Sequence, residues 1–322
     1  MPLLDVRNLS TVFHTPSGDV HAVNDVSYSL QAGESLGIVG ESGSGKSVGA
    51  LSLIGLVPPP GKVEHGRIEF QDRDILKLQK SELQRLRGRR IGMVFQDPMT
   101  SLNPVLSVGY QLAEALRWHM DMNETDARKQ VIETLRVVGI AHAQERLLDF
   151  PHQFSGGQRQ RIMIAMAIIC RPDLLIADEP TTALDVTVQA QIVDLIKALQ
   201  QEFGMAVIWI THDLALVAGI VDRVAVMYAG SLIEYGSVDT IFTKAAHPYT
   251  QCLLRSMPGR ESAERGRLYS IEGNPPDLRR QTEGCPFAPR CSQSVEQCLA
   301  DRPSLGPATG AHCVACWQAT AE

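Results

Sequence analysis

The amino-acid sequence predicts an α/β fold: a parallel sheet with helices on both faces, preceded by antiparallel strands. Two observations carry this prediction. Beyond about residue 155, strand patterns alternate with helix patterns, which is typical of a parallel sheet covered on both sides. Residues 36–39 form a continuously apolar run, as expected of a strand buried on both faces. The sequence pattern also predicts a helical insertion at about residues 97–155 and a cysteine-rich C-terminal extension.

The composition is that of a globular protein with no indicated affinity for nucleic acid. The chain has 322 residues, of which 44% are hydrophobic and 20% are charged. Its formal net charge is −6 and no block of Lys and Arg dominates, so neither nucleic acid nor an anionic membrane surface is favoured as a partner. The N-terminus lacks a basic and apolar leader, and no apolar run approaches the ~18 residues of a spanning helix. We therefore expect a cytoplasmic protein whose link to a membrane comes through a partner.

The first two strands are predicted at residues 3–13 and 22–30, joined by a turn rich in Pro, Ser, Gly and Asp. The second strand alternates apolar residues with serines, which is the pattern of a half-buried strand. Phe13 ends the first strand directly before the turn. Its ring could stack there on a nucleotide base, or it could belong to the core, and the pattern leaves both interpretations open.

A glycine-rich turn follows the apolar strand. Residues 40–47 fit the pattern G-x-x-x-x-G-K-[ST] and precede residues 48–56, which could open a helix. Glycines permit backbone conformations that a Cβ forbids, so successive N–H groups can surround phosphate oxygens at a helix N-terminus. Lys46 would reach the β- and γ-phosphates, and the Ser47 hydroxyl would bind Mg²⁺. The sequence thus predicts a P-loop nucleoside triphosphatase core with ATP-binding residues Gly40, Ser42, Gly43, Ser44, Gly45, Lys46 and Ser47.

Strand patterns continue at residues 66–70 and 91–95 and then give way to the helical insertion. Its clearest helix is predicted between the N-cap Asn123 and Gly139, with acids in the first turn. An apolar stripe runs along this helix and consists of Ala127, Val131, Leu135 and Val138. The core is predicted to resume with a helix at 160–170, a strand at 174–177, a helix at 187–203 and strands at 205–210 and 223–228.

Two acids, Asp178 and Glu179, end the apolar strand at 174–177. Carboxylates at the end of a buried strand are unfavourable unless a cation or a polar group compensates for their burial. Beside a Mg²⁺–phosphate group, Asp178 would hold the ion or one of its waters, and Glu179 would polarise the attacking water. The alternative is a strand followed by an ordinary polar turn.

A second glycine-rich turn, Ser155-Gly156-Gly157-Gln158, opens a helix and is a second candidate anion site. Its glycines could equally serve only to begin the helix. Two further polar residues follow predicted strands, Gln96 and His212. Each of them could also be an ordinary strand-end side chain.

Taken in order, these motifs resemble the nucleotide-binding subunit of an ATP-binding cassette transporter over residues 3 to about 235, together with Ala183-Leu-Asp185. The resemblance implies an ATPase in which Phe13 stacks on adenine and Gln96 contacts Mg²⁺ and the membrane subunits. It implies that His212 contacts the γ-phosphate. It also implies that Ser155, Gly156, Gly157 and Gln158 complete the ATP site of a facing subunit, so that two subunits close head to tail around two ATP molecules.

Four longer stretches are similar to the oligopeptide/dipeptide (nickel) importer branch, and within it to its D-type ATPases. The stretches are Gln96 to Pro104, Pro180 to Gln191, His247 to Thr250 and Cys285 to Cys291. The resemblance implies a second cassette ATPase, two membrane permease subunits and an extracytoplasmic peptide-binding protein as partners, without nucleic acid. The subunit would be peripheral, on the cytoplasmic face of the inner or plasma membrane. Peptides, glutathione-like peptides and nickel complexes remain open as cargo.

Seven cysteines are present, and five crowd into the last 38 residues: Cys285, Cys291, Cys298, Cys313 and Cys316. Without an export signal, clustering favours metal or redox chemistry over disulfides. The spacing C-x5-C-x6-C does not fit the short pairs of zinc ribbons, although zinc and simple reduced cysteines remain alternatives. The resemblance favours a [4Fe-4S] cluster on Cys285, Cys291, Cys298 and Cys316, whereas spacing alone does not choose between Cys313 and Cys316. We expect an ATP-binding cassette domain at 1–240 and an extension at 241–322.

Overall fold

The computed structural model describes residues 1–182, 184–257, 269–279, 283–309 and 311–319. Ala183, which belongs to one of the motifs above, lies outside the described residues. The chain forms two compact units. The first consists of Met1–Gln31, Ser35–Lys77 and Trp209–Glu322, and the second of Ala32–Glu34 and Leu78–Ile208. The predicted division at residue 240 stays a prediction.

The strands are β1 (Leu4–Thr15), β2 (Gly18–Leu30), β3 (Ser35–Val39), β4 (Gly61–Phe70), β5 (Arg73–Asp74), β6 (Ile91–Val94), β7 (Leu174–Asp178), β8 (Ala206–Thr211), β9 (Arg223–Tyr228), β10 (Ser231–Ser237), β11 (Gly306–Thr309) and β12 (His312–Val314). The α-helices are α1 (Lys46–Leu53), α2 (Lys80–Leu86), α3 (Pro98–Ser101), α4 (Val108–Met120), α5 (Glu124–Val137), α6 (Gly156–Ile168), α7 (Val186–Phe203), α8 (Leu214–Val217), α9 (Val238–Lys244), α10 (Pro248–Arg255) and α11 (Glu296–Ala300). Within the described part of the chain, no helix combines the length and the apolar character needed to cross a membrane.

The predicted antiparallel strands form a sheet in the first unit, in the order β2-β1-β4-β5. β1 and β2 both extend further into the intervening turn than predicted, because Thr15 already pairs with Gly18. Alternating residues of β1 are buried, beginning with Leu4 and Val6, as expected of a strand with one face on the core.

A second sheet of the first unit carries the glycine-rich turn. β3 is parallel to β9, and the antiparallel strands β10, β12 and β11 continue beyond β9. All residues of β3 are buried, which confirms the prediction from its apolar run. The sequence analysis did not predict β10, because its central residue is a glutamate. Glu234 is fully buried and accepts hydrogen bonds from the N–H groups of Ala246 and His247.

In the second unit, β7 lies between β6, to which it is parallel, and the beginning of β8. The insertion is helical, as predicted. Its helix α5 begins after the N-cap Asn123, whose side chain accepts a hydrogen bond from the Asp126 N–H. All members of the predicted apolar stripe of α5 are buried. The helix at 187–203 is also confirmed as α7, and it ends at Gly204 in the left-handed conformation.

Candidate functional site

The first glycine-rich turn connects β3 to α1, so the chain leaves a buried strand and enters a helix within seven residues, 40–46. Gly45 caps α1 with a φ of 98°, and a Cβ there would overlap the carbonyl oxygen of Ala22. At Gly40, a Cβ would overlap the carbonyl oxygen of Met227. Both glycines are therefore required by close approach of the unit's own backbone. The turn is thereby held against β9 and β2.

Lys46 is folded back onto this turn. Its side chain is buried, and Nζ donates hydrogen bonds to the carbonyl oxygens of Gly40 and Glu41 at 2.7 and 2.9 Å. The Ser44 hydroxyl lies 3.4 Å from the same atom. Phosphate oxygens are stronger hydrogen-bond acceptors than carbonyl oxygens. Lys46 is thus placed to exchange these contacts for a phosphate group, while Ser42 and Gly43 face solvent.

Phe13 and His212 lie in the same unit. Phe13 is half-buried near the end of β1, opposite Gly61 of β4. A Cβ at Gly61 would come within 2.6 Å of the Phe13 ring, so the glycine leaves room for that ring. His212 is exposed directly after β8, where Asp213 caps α8 through the Ala215 N–H. The assignments to adenine and to the γ-phosphate stay predictions.

The acid pair and Gln96 belong to the second unit, and the structure brings two of them together. Asp178 is the last residue of β7 and is buried. Gln96 follows β6, and its Nε2 donates a hydrogen bond to Glu179 Oε2 at 3.0 Å. Because β6 and β7 are parallel neighbours, the residues that follow them meet at one edge of the sheet. Glu179 has a φ of 45°, a conformation that is unfavourable for a side-chain residue and that is typical of functional positions.

Thr182 is a second partner of Glu179 that the sequence analysis did not single out. Its hydroxyl donates a hydrogen bond to Glu179 Oε2 at 2.9 Å. Two donors therefore meet on one carboxylate oxygen, which fixes the orientation of the carboxylate. In the sequence, Thr182 belongs to the polar turn after the acid pair, but the sequence of a turn does not show which way a side chain points.

The second glycine-rich turn caps α6. Ser155 Oγ accepts a hydrogen bond from the Gln158 N–H at 3.3 Å, and Gln158 Oε1 accepts one from the Ser155 N–H at 3.1 Å. This is a capping box. Gly156 is exposed, and a Cβ added there would have no neighbour within 4 Å. One turn further along α6, Gln160 Nε2 donates to the carbonyl oxygen of Pro180, directly after Glu179.

Four cysteines of the extension line one small pocket. The four cysteines that line it are Cys285, Cys291, Cys298 and Cys316. Cys313 is absent from this lining and instead pairs with Tyr235 in the register of β12 and β10. All seven cysteines are free thiols. Burial raises the pKa of Cys285, Cys291 and Cys316 above that of an ordinary thiol. Among the described residues, no group of three or more His, Cys, Asp or Glu side chains is arranged to hold a metal ion.

A groove lies in the helical insertion, between α4, α5 and the 3₁₀ turn Glu145–Leu148. Tyr110 and Leu148 line it with exposed apolar surface, and Arg117 and Arg128 add positive charge. The Arg117 guanidinium lies 5.2 Å from the centre of the Tyr110 ring. Glu124 also lines the groove, so charges of both signs lie beside the apolar surface, and such a surface is suited to a partner segment.

Comparison with known proteins agrees with these features. Residues 23–182 match the family model described as "ABC transporter", and residues 233–298 match "Oligopeptide/dipeptide transporter, C-terminal region". The oligopeptide transport ATP-binding protein OppD of Escherichia coli is 51% identical over 320 residues, covering 99% of this chain and 94% of that protein. The dipeptide transport ATP-binding protein DppD of Bacillus subtilis is 52% identical over 316 residues, covering 98% of this chain and 94% of that protein.

Solved structures show the same fold. A dimeric structure of the ATP-binding cassette MJ0796 bound to ADP and Pi is similar with a TM-score of 0.65 and 28% identity, covering 73% of this chain and 98% of that one. The structure of cbiO1 from Clostridium perfringens, part of an ABC transporter complex, is similar with a TM-score of 0.65 and 31% identity over 76% of this chain and 91% of that one.

Proposed function

Because the chain belongs to the ATP-hydrolysing subunits of ATP-binding cassette (ABC) transporters, we propose that it powers an importer of dipeptides or oligopeptides. The cargo class is supported by the relatives named above, whose similarity extends through the extension, and by the match of residues 233–298 to the oligopeptide/dipeptide transporter region. The observation that carries the hydrolytic role is the orientation of Glu179 by Gln96 and Thr182.

The reaction is attack of water on the γ-phosphate of ATP. Glu179 acts as the base that polarises this water, because its carboxylate is already oriented by two hydrogen bonds. Lys46 neutralises charge on the β- and γ-phosphates, and the N–H groups of the turn at 40–47 surround their oxygens. Phe13 stacks on the adenine, and His212 contacts the γ-phosphate. Catalysis then depends mainly on positioning and on charge neutralisation.

The donors predicted for Mg²⁺ fit this ion. The Ser47 hydroxyl and the Gln96 amide oxygen are hard oxygen donors, and the buried Asp178 carboxylate adds negative charge. Because Gln96 Nε2 donates to Glu179, its amide oxygen is the atom that can ligate a cation. When bound, Mg²⁺ neutralises charge on the β- and γ-phosphates.

The turn at Ser155–Gln158 completes the ATP site of a facing subunit. The exposure of this turn supports the role. A Cβ added at Gly156 would have no neighbour within 4 Å, so the space beside it is open. The facing subunit is a second copy or a related cassette ATPase. ATP binding closes the pair, and hydrolysis lets it reopen.

Two permease subunits and an extracytoplasmic peptide-binding protein complete the importer, with this chain peripheral on the cytoplasmic face. The groove of the insertion is the surface for a permease segment, and its basic residues favour an acidic or amphipathic one. Nickel complexes and glutathione-like peptides are alternative cargo for the same motor.

The cysteine pocket holds a [4Fe-4S] cluster in this proposal. Four thiols on one pocket are the donor set of such a cluster, and the separation of Cys313 from that pocket supports Cys316 as the fourth ligand. The cluster would sit in the extension, held by the turn at Cys285–Cys291, by α11 and by Cys316, the second residue after β12.

The hydrolytic role is tested by Glu179→Gln. This change keeps the hydrogen bonds of the side chain but removes the base, so turnover should fall by about 10²-fold or more with ATP binding retained. Glu202→Gln, on the exposed end of α7, is the matched control and should leave turnover unchanged. Phosphate release and nucleotide binding are measured on the same preparations. Normal turnover of Glu179→Gln would remove Glu179 from its role.

The transport role is tested in vesicles that contain the reconstituted permease complex and its binding protein. Dipeptides and oligopeptides should stimulate ATP hydrolysis and accumulate inside. Stimulation by nickel complexes or glutathione alone would instead assign the alternative cargo, and stimulation by none of them would contradict an importer of these classes.

The cluster is tested with a matched pair of serine variants. Anaerobically purified protein should contain about four iron and four sulfide per chain. Cys316→Ser should lose most of this iron, whereas Cys313→Ser should retain it. Zinc in the wild-type protein, or equal iron in both variants, would contradict this ligand set.

A further inference from the structure

Arg290 of the extension is bound to the phosphate-binding turn. It lies between Cys285 and Cys291, and its side chain is 5% exposed. Its two terminal nitrogens donate to the two carboxylate oxygens of Glu41, Nη1 to Oε2 at 2.8 Å and Nη2 to Oε1 at 3.1 Å. This bidentate geometry is the strongest form of a charge-assisted hydrogen bond. Glu41 is the second residue of the turn at 40–47, so the contact reaches directly into the ATP site.

The other groups of Glu41 are also held. Its backbone N–H donates to the Tyr249 hydroxyl at 2.9 Å, and its carbonyl oxygen accepts from Lys46 Nζ at 2.9 Å. Tyr249 belongs to α10 and is completely buried. Two of the residues that hold Glu41, Arg290 and Tyr249, therefore belong to the extension.

The anchors themselves are rigid. Arg290 Nη1 also donates to the Tyr228 hydroxyl at 3.1 Å, and its Nε donates to the Glu272 carbonyl oxygen at 3.0 Å. Tyr228, Tyr249 and Phe287 pack as a buried group of rings with centroids 4.6 to 5.4 Å apart. Burial works against the charge of the guanidinium, but the bonds to Glu41 and Tyr228 outweigh it and raise the pKa of Arg290.

We propose that Arg290 is a positioning residue for ATP binding, which holds the Glu41 carboxylate away from the nucleotide and neutralises it. The inference rests on the proposed ATPase function and adds a residue outside the ATP-binding motifs. Without Arg290, the Glu41 carboxylate would be unpaired in the same turn that binds the triphosphate, and the two negatively charged groups would repel each other. The loss should therefore weaken ATP binding more than it slows the turnover of bound ATP.

The test is the dissociation constant for ATP, measured on the full chain with a fluorescent ATP analogue and unlabelled ATP as competitor. Arg290→Ala should raise the dissociation constant for ATP about tenfold. Arg290→Lys keeps the positive charge but loses the bidentate geometry, and it should raise the constant less. Adding Glu41→Gln to Arg290→Ala should restore most of the affinity, because the unpaired carboxylate is gone. Turnover at saturating ATP should stay within about twofold of the wild type.

Arg279→Ala is the matched control. Arg279 also belongs to the extension and also binds a carboxylate, that of Asp277, but the pair is exposed, so ATP affinity should not change. An unchanged affinity of Arg290→Ala overturns the inference, as does a loss that Glu41→Gln leaves unrepaired.

Should Arg290→Ala not fold, Arg290→Lys carries the test. It should weaken ATP binding in the wild-type background and not in Glu41→Gln, and equal effects in both backgrounds overturn the inference. If the wild-type chain itself binds no ATP, the proposed function fails together with this inference, which separates that outcome from a failure of Arg290 alone.

Discussion

Two glycine-rich turns open helices in this chain, and they use their glycines differently. In the turn at 40–47, Gly40 and Gly45 are needed because backbone carbonyls of the same unit occupy the space of a side chain. In the turn at 155–158, Gly156 has open space around it and an ordinary helical role. The first turn is thus shaped by its own subunit. The second leaves open space at Gly156, as expected if the molecule that fills it comes from a partner, whereas a Cβ at Gly157 would come within 3.0 Å of Val188.

The polar side chains of the two turns also differ, in burial and in hydrogen bonding. Lys46 is buried and held by three acceptors of its own turn. Ser155 is exposed, and its side chain takes part in the local capping box with Gln158. The comparison predicts that changes in the first turn damage folding and ATP binding together, whereas changes in the second damage hydrolysis more than folding.

The largest effect is expected for Gly45→Ala. A Cβ at this position overlaps the Ala22 carbonyl oxygen and the residue must also keep a φ of 98°, so the free energy of unfolding should fall by about 3 kcal/mol or more. ATP binding should be lost with it. Denaturant titration and nucleotide binding check both effects.

Gly43→Ala provides the control for this change, since it shares the positive φ but has no neighbour within 4 Å of an added Cβ. Its effect on stability should be about 1 kcal/mol. Equal destabilisation by the two variants would show that close approach is not what makes Gly45 necessary.

The next largest effect is expected for Gly156→Asp, and it reverses the relation between stability and activity. An acid in the first turn of α6 interacts favourably with the helix dipole, so stability should stay equal or rise by about 0.5 kcal/mol. The same carboxylate would face the γ-phosphate of the partner's ATP, and hydrolysis should fall by about 100-fold. ATP binding to the variant subunit should remain.

Gly219→Asp is the corresponding control, because Gly219 also has open space around it and belongs to none of the motifs. Hydrolysis should be unaffected there. Destabilisation of Gly156→Asp, or normal hydrolysis by it, would contradict the assignment of the second turn to a partner's site.

The sequence predicted the turns well and the contacts between distant segments poorly. The turn at 40–47 was predictable because glycines, a lysine and a serine at fixed spacing serve one local geometry. The pairing of Gln96 with Glu179 was not, since it depends on β6 and β7 lying side by side and the two residues are 83 positions apart.

The extension shows the same limit more strongly. Spacing could not choose between Cys313 and Cys316, but the pocket lining separates them. The strand β10 was not predictable because it contains Glu234, and a glutamate in a strand pattern indicates an exposed position. Its burial became favourable through two backbone N–H groups and the ring of His312, 2.8 Å away, which no local pattern reveals.

The smallest effect is expected for Ser155→Ala, which asks whether the second turn contributes more than a helix cap. Removal of the Ser155 hydroxyl leaves the Gln158 N–H without its capping acceptor, so the free energy of unfolding should fall by about 1 kcal/mol or less. Asn123→Ala removes an equivalent cap from α5, where Asn123 Oδ1 accepts from the Asp126 N–H, and should lower stability by a similar amount. Only Ser155→Ala should slow hydrolysis, by about tenfold, because only this hydroxyl is proposed to contact the ATP of a facing subunit. Denaturant titration measures the free energy of unfolding of each variant, and phosphate release measures its rate of ATP hydrolysis. If both variants hydrolyse ATP at the same rate, Ser155 acts as a cap alone, and the contrast between the two turns loses its functional meaning.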